Sequence, residues 1–194
     1  MKLRINLDEK TMIEAHDEAS KRHQVSRLAG VTNQAVSDGH PISVDFIGLL
    51  GEIGFSHIFG IERDNTVSAR SGSIDFASNG HNIEIKSSKH KNAHLIVPAY
   101  EIPEWAGGGW GVKEYNHVYC LMTVDIENRH VTFAGWTQRD KIINQDRLEY
   151  FRGSDRKSFV LPQEDLDQLD EMTARWLVIM AKGQGHRVEL TETE

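Results

Sequence analysis

Hydrophobic positions along this chain alternate, then recur every three to four residues, then alternate again. Leu3, Ile5 and Leu7 in KLRINL fit a short opening strand, and Asp8 stands where it can cap a helix running to about Lys21. Residues 24–41 are polar and mixed, and read as a loop with a helical turn. A second helix is predicted from near Ser43 to about Phe59, with Phe46, Leu49, Leu50, Ile53 and Ile58 as its buried stripe. Gly48, Gly51 and Gly54 interrupt that stripe at a cost of about 1 kcal/mol each, which suggests close packing against a sheet. Strands follow at about 66–70, 73–77, 81–88 and 93–98, and residues 102–113, IPEWAGGGWGVK, cannot be regular structure. HVYCLMTVDI and RHVTFAGW give two more strands joined at Glu127-Asn128, and Thr137 is the expected cap of a short helix. A last helix over about 163–181 is expected to turn Leu166, Leu169, Met172, Trp176, Leu177 and Met180 to the core, and the tail after Gly183 to fray. The expected class is α/β or α+β, a mixed sheet flanked by helices in one domain over 1–194.

Composition narrows the setting. The lone cysteine, Cys120, excludes a disulfide framework and reads as a small buried side chain. No apolar signal segment opens the chain, and no run approaches the roughly 20 apolar residues of a membrane span, so a soluble cytoplasmic protein is expected. The net charge of -7 argues against indiscriminate nucleic-acid binding, since phosphate affinity rests on lysine and arginine. Most of that charge lies after Gln163, where eight acids face three bases.

The candidate chemistry lies in SGSIDFASNGHNIEIKSS, residues 71–88. Strand alternation puts Glu84 and Lys86 on one face and Ile83 and Ile85 on the other. Asn79-Gly80 favours a tight hairpin turn, which would fold Asp75 back beside Glu84. Two carboxylates converging beside an ammonium suit a metal site for cutting phosphodiesters. The run Lys86, Lys89, His90 and Lys91 is the densest positive patch and leaves the end of that strand.

At these residues the chain resembles the PD-(D/E)xK nuclease superfamily, with its restriction-endonuclease-like core. Asp75 in SIDF stands at the family's first aspartate, and Glu84 and Lys86 in IEIK stand at its (D/E)xK pair. Glu52 in GLLGEIGF matches the family's helix glutamate, with Asp45 the nearest substitute, and Ile74 departs from the proline often found before the aspartate. The resemblance covers roughly Ile42 to Trp136. It implies a Mg²⁺-dependent deoxyribonuclease, with Mn²⁺ able to substitute. Asp75, Glu84, the Ile85 carbonyl and Glu52 would be metal ligands, and Lys86 would orient the attacking water. Ser88, Lys89, Lys91 and Trp110 would contact DNA, with Trp105 a further stacking candidate. Family members that cut both strands often dimerise, so a homodimer is among the expected partners.

The bland alternatives are concrete. An ExK pair on a strand is usually a solvated salt bridge, a lone aspartate is usually a turn residue, and Glu52 on its own reads as an exposed helix face. The ten histidines show no zinc-ligand spacing, with His57 alone expected near the pocket, and GGGWG lacks the Lys-Ser/Thr of a P-loop. The function expected is DNA hydrolysis in a phage or mobile-element setting or in repair and recombination. Its rivals are a Holliday-junction resolvase, which the acidic balance counts against, and a catalytically silent DNA-binding or structural module of the same fold.

Overall fold

The computed structural model describes residues 2–28, 41–63, 74–102, 115–150 and 156–191. The strand expected at 66–70 and the loop bearing Trp105 and Trp110 lie outside them. Strand β1 (Lys2–Asn6) leads into α1 (Glu9–Leu28), which starts where Asp8 accepts the Thr11 N–H at 2.8 Å and runs a full seven residues past Lys21. Helix α2 spans Pro41–Phe59. The hairpin β2 (Phe76–Ser78) and β3 (His81–Ser88) turns through Asn79 and Gly80, whose φ of 50° and 78° are those of a two-residue primed turn. Then come β4 (Leu95–Pro98), a 3₁₀ turn at Ala99–Glu101, β5 (Val118–Asp125), β6 (His130–Gln138) and the single-turn α3 (Arg139–Ile142). Strands β7 (Leu148–Tyr150) and β8 (Lys157–Leu161), helix α4 (Glu171–Gly183) and β9 (Arg187–Thr191) complete the described chain.

Six strands form one mixed sheet in the order β2-β3-β5-β6-β1-β9, and only β3 and β5 run parallel. A second, antiparallel sheet has the order β4-β8-β7. Alternation along β5 shows how the layers are arranged. Cys120 and Met122 join a core with Leu49, Leu50 and Phe55 of α2, whereas Tyr119 and Leu121 join another with Leu95, Val97 and Phe159 of the small sheet. Along β5 the main sheet is therefore covered on both faces, by helices on one side and by the small sheet on the other. No helix among the described residues is long and apolar enough to cross a membrane.

Three expectations fail for identifiable reasons. The last helix begins at Glu171 rather than 163, because Gln163–Asp165 makes only a 3₁₀ turn and Asp167 then exchanges two backbone hydrogen bonds with Trp136 (3.0 and 2.8 Å), before Asp170 caps Thr173. The shorter helix buries Ala174, Leu177 and Ala181, and it leaves Met172, Trp176 and Met180 exposed rather than in the core. Thr137 is a buried residue of β6, and Gln138 occupies the cap position of α3 without a side-chain bond. Beyond Gly183 the chain pairs with β1 as an edge strand instead of fraying.

Helix α2 approaches the sheet through its glycines, as their cost suggests. A Cβ on Gly51 would collide with Ser87 Oγ and lie 2.9 Å from Ser87 Cβ and 3.3 Å from Met122 Cβ. At Gly54 it would lie 2.5 Å from a Val131 methyl, but at Gly48 it would meet nothing within 4 Å. The two alanine substitutions should therefore differ in sign. Gly48→Ala should raise the unfolding free energy by about 0.5–1 kcal/mol through helix propensity. Gly51→Ala should lower it by about 1–3 kcal/mol through overpacking. Urea midpoints at unchanged slope measure both, and a stabilising Gly51→Ala would contradict the close approach.

Candidate active site

Strand β3 carries the site because its two faces meet different layers. Ile83 and Ile85 pack with the helix-side core, and Ser87 lies under α2 with its hydroxyl 3.5 Å from the Gly48 carbonyl. Glu84 and Lys86 therefore point the other way, toward the small sheet and the turn after β4. Asp75 just precedes β2, whose register pairs Phe76 with Ile83 and so brings Asp75 across from Glu84. Its Oδ2 accepts the Ile85 N–H at 2.7 Å, where a ladder bond would otherwise stand. The hairpin thus sets Asp75 opposite Glu84 in register, and strand alternation puts Lys86 on the face of Glu84.

Two further side chains complete the cluster. The Lys86 ammonium lies 2.9 Å from Glu84 Oε1 and donates to Glu101 Oε2 at 2.8 Å, with Glu84 only 1% exposed and the lysine side chain 20% exposed. Asn116 donates from Nδ2 to Glu84 Oε2 at 3.4 Å. Its place is fixed by Asn82 at the start of β3, whose backbone exchanges hydrogen bonds with His117 (3.0 and 2.9 Å) and whose side chain donates to the Tyr115 carbonyl at 2.9 Å. Tyr119, opposite Glu84 in the parallel register, and Arg139 are both buried, with a guanidinium nitrogen 3.5 Å from the phenol oxygen and the guanidinium 4.3 Å from the Tyr115 ring centre.

The electrostatics follow from this packing. Burial works against the Lys86 charge, but the carboxylates of Glu84 and Glu101 outweigh it and hold the ammonium pKa above its ordinary value. Burial raises the Tyr119 phenol, and the two carboxylates add to that against the opposing pull of Arg139 and Lys86. Burial likewise raises the Cys120 thiol, as expected of an inert core cysteine.

Glu52 is not in this cluster. Its carboxylate accepts from Arg22 at 3.2–3.3 Å and lies 3.6 Å from Arg63, in a network that includes Glu18. Two hydrogen bonds of 2.7 Å from Arg63 hold the Glu18 carboxyl below its ordinary value. This network joins α1 to α2 in the helical layer, whereas Glu84 and Lys86 face the opposite layer. Asp45 also faces α1, 3.5 Å from His23 Nδ1. His57 stacks on His186 with ring centres 3.9 Å apart, and it lines a cleft of about 430 Å³ with Glu14, Glu18 and Arg63 rather than the β3 site. Ser88 accepts the His90 N–H at 3.2 Å, and Lys89 and Lys91 are exposed just beyond it. Trp110 lies outside the described residues.

Glu101, Asn116, Tyr119 and Arg139 were not singled out in the sequence. Only Tyr119 carried a local signal, an aromatic hydroxyl on an inward position of an apolar strand. No family model, curated protein or solved structure matches this chain. Among the described residues no group of three or more His, Cys, Asp or Glu side chains is arranged to hold a metal as the site stands.

Two measurements probe these charges. Lys86→Met leaves Glu84 and Glu101 without their shared cation, and should cost about 3–5 kcal/mol of unfolding free energy. A cost below about 1 kcal/mol, the range of a surface salt bridge, would show that the carboxylates are solvated. Burial, with His186 at its face and Arg63 nearby, pushes His57 down to about 4, although Asp8 pulls the other way. Its unfolded value is about 6.5, so between about 6.5 and about 4 the unfolded chain binds a proton that the folded chain refuses, and stability is lost as the pH drops through that window. His57→Phe should lose less stability than the parent over the same range in urea titrations, and an equal loss would contradict this.

Proposed function

We propose that this chain is a metal-dependent deoxyribonuclease of the restriction-endonuclease-like fold, hydrolysing phosphodiester bonds at Asp75, Glu84 and Lys86. The observation that carries the reading is the convergence on one hairpin of an aspartate, a glutamate and a lysine, with Asp75 bonded to the Ile85 N–H and Lys86 2.9 Å from Glu84. The parallel pairing of β3 with β5, and a helix before the hairpin packed on the same sheet, agree with such a core.

The donor chemistry fits a hard cation, since Asp75, Glu84, Glu101 and Asn116 offer oxygen atoms. Bound Mg²⁺ or Mn²⁺ would supply a water of lowered pKa and positive charge against the scissile phosphate. Asp75 and Glu84 hold the negative charge that such an ion requires. Glu84 and Glu101 hold the Lys86 pKa above its ordinary value, which suits a donor to water or phosphate better than a general base. Lys89 and Lys91, exposed at the exit of β3, would hold DNA phosphates without reading sequence, and Ser88 stands beside them.

One observation favours the silent binding module instead. Glu84 is 1% exposed and its charge is met by Lys86, as in a structural ion pair. Cleavage separates the two readings. The parent protein, incubated with Mg²⁺ and linear, circular, single-stranded or branched DNA, is expected to cut at least one substrate. Glu84→Gln and Lys86→Gln should each slow it by at least about a hundredfold, the scale of losing a charge-stabilising group. Preferential cutting of branched DNA would identify a junction resolvase. Undiminished cutting by both variants would remove these residues from the site, and no cutting by the folded parent would leave the binding module.

A further inference from the structure

Two carboxylates from separate elements, Glu84 of β3 and Glu101 of the turn after β4, reach one ammonium at 2.9 and 2.8 Å. The arrangement is one in which a cation is required and Lys86 supplies it. A second feature points the same way and is independent of the carboxylates. Asn116 is 3% exposed, and while its Nδ2 donates to Glu84, its Oδ1 is buried without a hydrogen-bond partner among the described residues. A buried amide oxygen left unpaired beside a carboxylate is unfavourable for an anionic ligand and suited to a hard cation, which takes carboxylate and amide oxygens together.

We propose that Glu101 and Asn116 Oδ1 join Glu84 as the oxygen donors for a divalent cation of the Mg²⁺ class, with the Lys86 ammonium holding the cation's place until it binds. Glu101 thereby takes the part that the sequence assigns to Glu52, which is committed to Arg22 and Arg63 in the other layer. Cation binding moves Lys86 off the carboxylate pair and frees its donor for substrate. The identity of the reaction rests on the nuclease reading, but the cation site itself does not depend on it.

The test uses the full chain without DNA. Mn²⁺ is titrated calorimetrically and by loss of the free-ion electron paramagnetic resonance signal, with circular dichroism confirming the fold of each variant. Glu101→Gln and Asn116→Ala should each weaken Mn²⁺ binding by about tenfold or more, the range seen when groups around a metal are altered. Glu52→Gln should bind as the parent does. Lys86→Gln should bind Mn²⁺ more tightly than the parent, since the competing ammonium is gone, and its melting temperature should rise with added Mn²⁺. A purely structural lysine predicts no tightening. If Glu101→Gln fails to fold, the Asn116→Ala and Lys86→Gln titrations decide the matter.

Parent-like binding by Glu101→Gln, or by both Asn116→Ala and Lys86→Gln, overturns the proposal, as does a parent that binds no Mn²⁺. If the parent cuts DNA while Glu101→Gln binds normally, the nuclease reading stands and the Glu101 site falls. If the parent binds Mn²⁺ with this variant pattern yet cuts nothing, the cation site stands and the nuclease reading falls.

Discussion

Strand β3 is covered on both faces, and that constraint decides what its side chains can be. A strand sandwiched between layers is ordinarily an apolar run, because each charge taken from water costs several kcal/mol unless it is paired and hydrogen-bonded. On the helix side β3 obeys, with Ile83, Ile85 and a serine tight against Gly51. On the other side it presents Glu84 and Lys86, and the neighbouring elements are arranged around them. Glu101 closes the turn after β4, Asn116 leads into β5, and Tyr119 and Arg139 line the wall. Packing alone does not require this polar group, since apolar side chains of similar volume would fill the space at lower cost.

The same constraint explains why one predicted ligand is absent from the cluster. A helix glutamate reaches a strand site only if the helix shows that glutamate to the face bearing the site. Helix α2 lies on the face of Ile85 and Ser87, and its contact surface is the glycine path through Gly51 and Gly54. Glu52, one residue on from Gly51, is rotated about 100° around the helix axis, and it meets Arg22 of α1 and Arg63 instead. Helical periodicity locates a glutamate relative to its own helix. It does not say which side of a sheet the helix will cover.

What was legible in the sequence was local. The Asn79-Gly80 turn, the alternation of Glu84 and Lys86 against Ile83 and Ile85, the Asp8 cap and the glycine approach of α2 each depend on a few neighbouring residues, and each is found. What was not legible depends on partners far along the chain. Glu101 is 15 residues from Lys86 and is brought to it by pairing of β4 with β8, a strand the sequence reading passed over. Asn116 is placed by Asn82 through bonds to its two neighbours, Tyr115 and His117, 33 and 35 residues further along the chain. The phase of the last helix was misread because Leu166 and Leu169 belong to the extended stretch held by Trp136, and they look periodic with residues beyond Asp170 only when that long-range bridge is ignored.

Lys86 is a counterion shared by two carboxylates, Glu84 at 2.9 Å and Glu101 at 2.8 Å. Held between Glu84 and Glu101, its ammonium pKa is raised above the ordinary value although burial opposes the charge. What can change is its location, since an ammonium is a compact point charge on a flexible four-carbon stem and any competing cation would contest its two carboxylates. A buried lysine with one carboxylate partner would resist such exchange, because leaving would strand a lone charge. With two partners the exchange is one cation for another, and two carboxylates match the charge of a divalent ion. The number of carboxylates around Lys86, rather than the ExK spacing alone, therefore makes this strand more than a buried salt bridge.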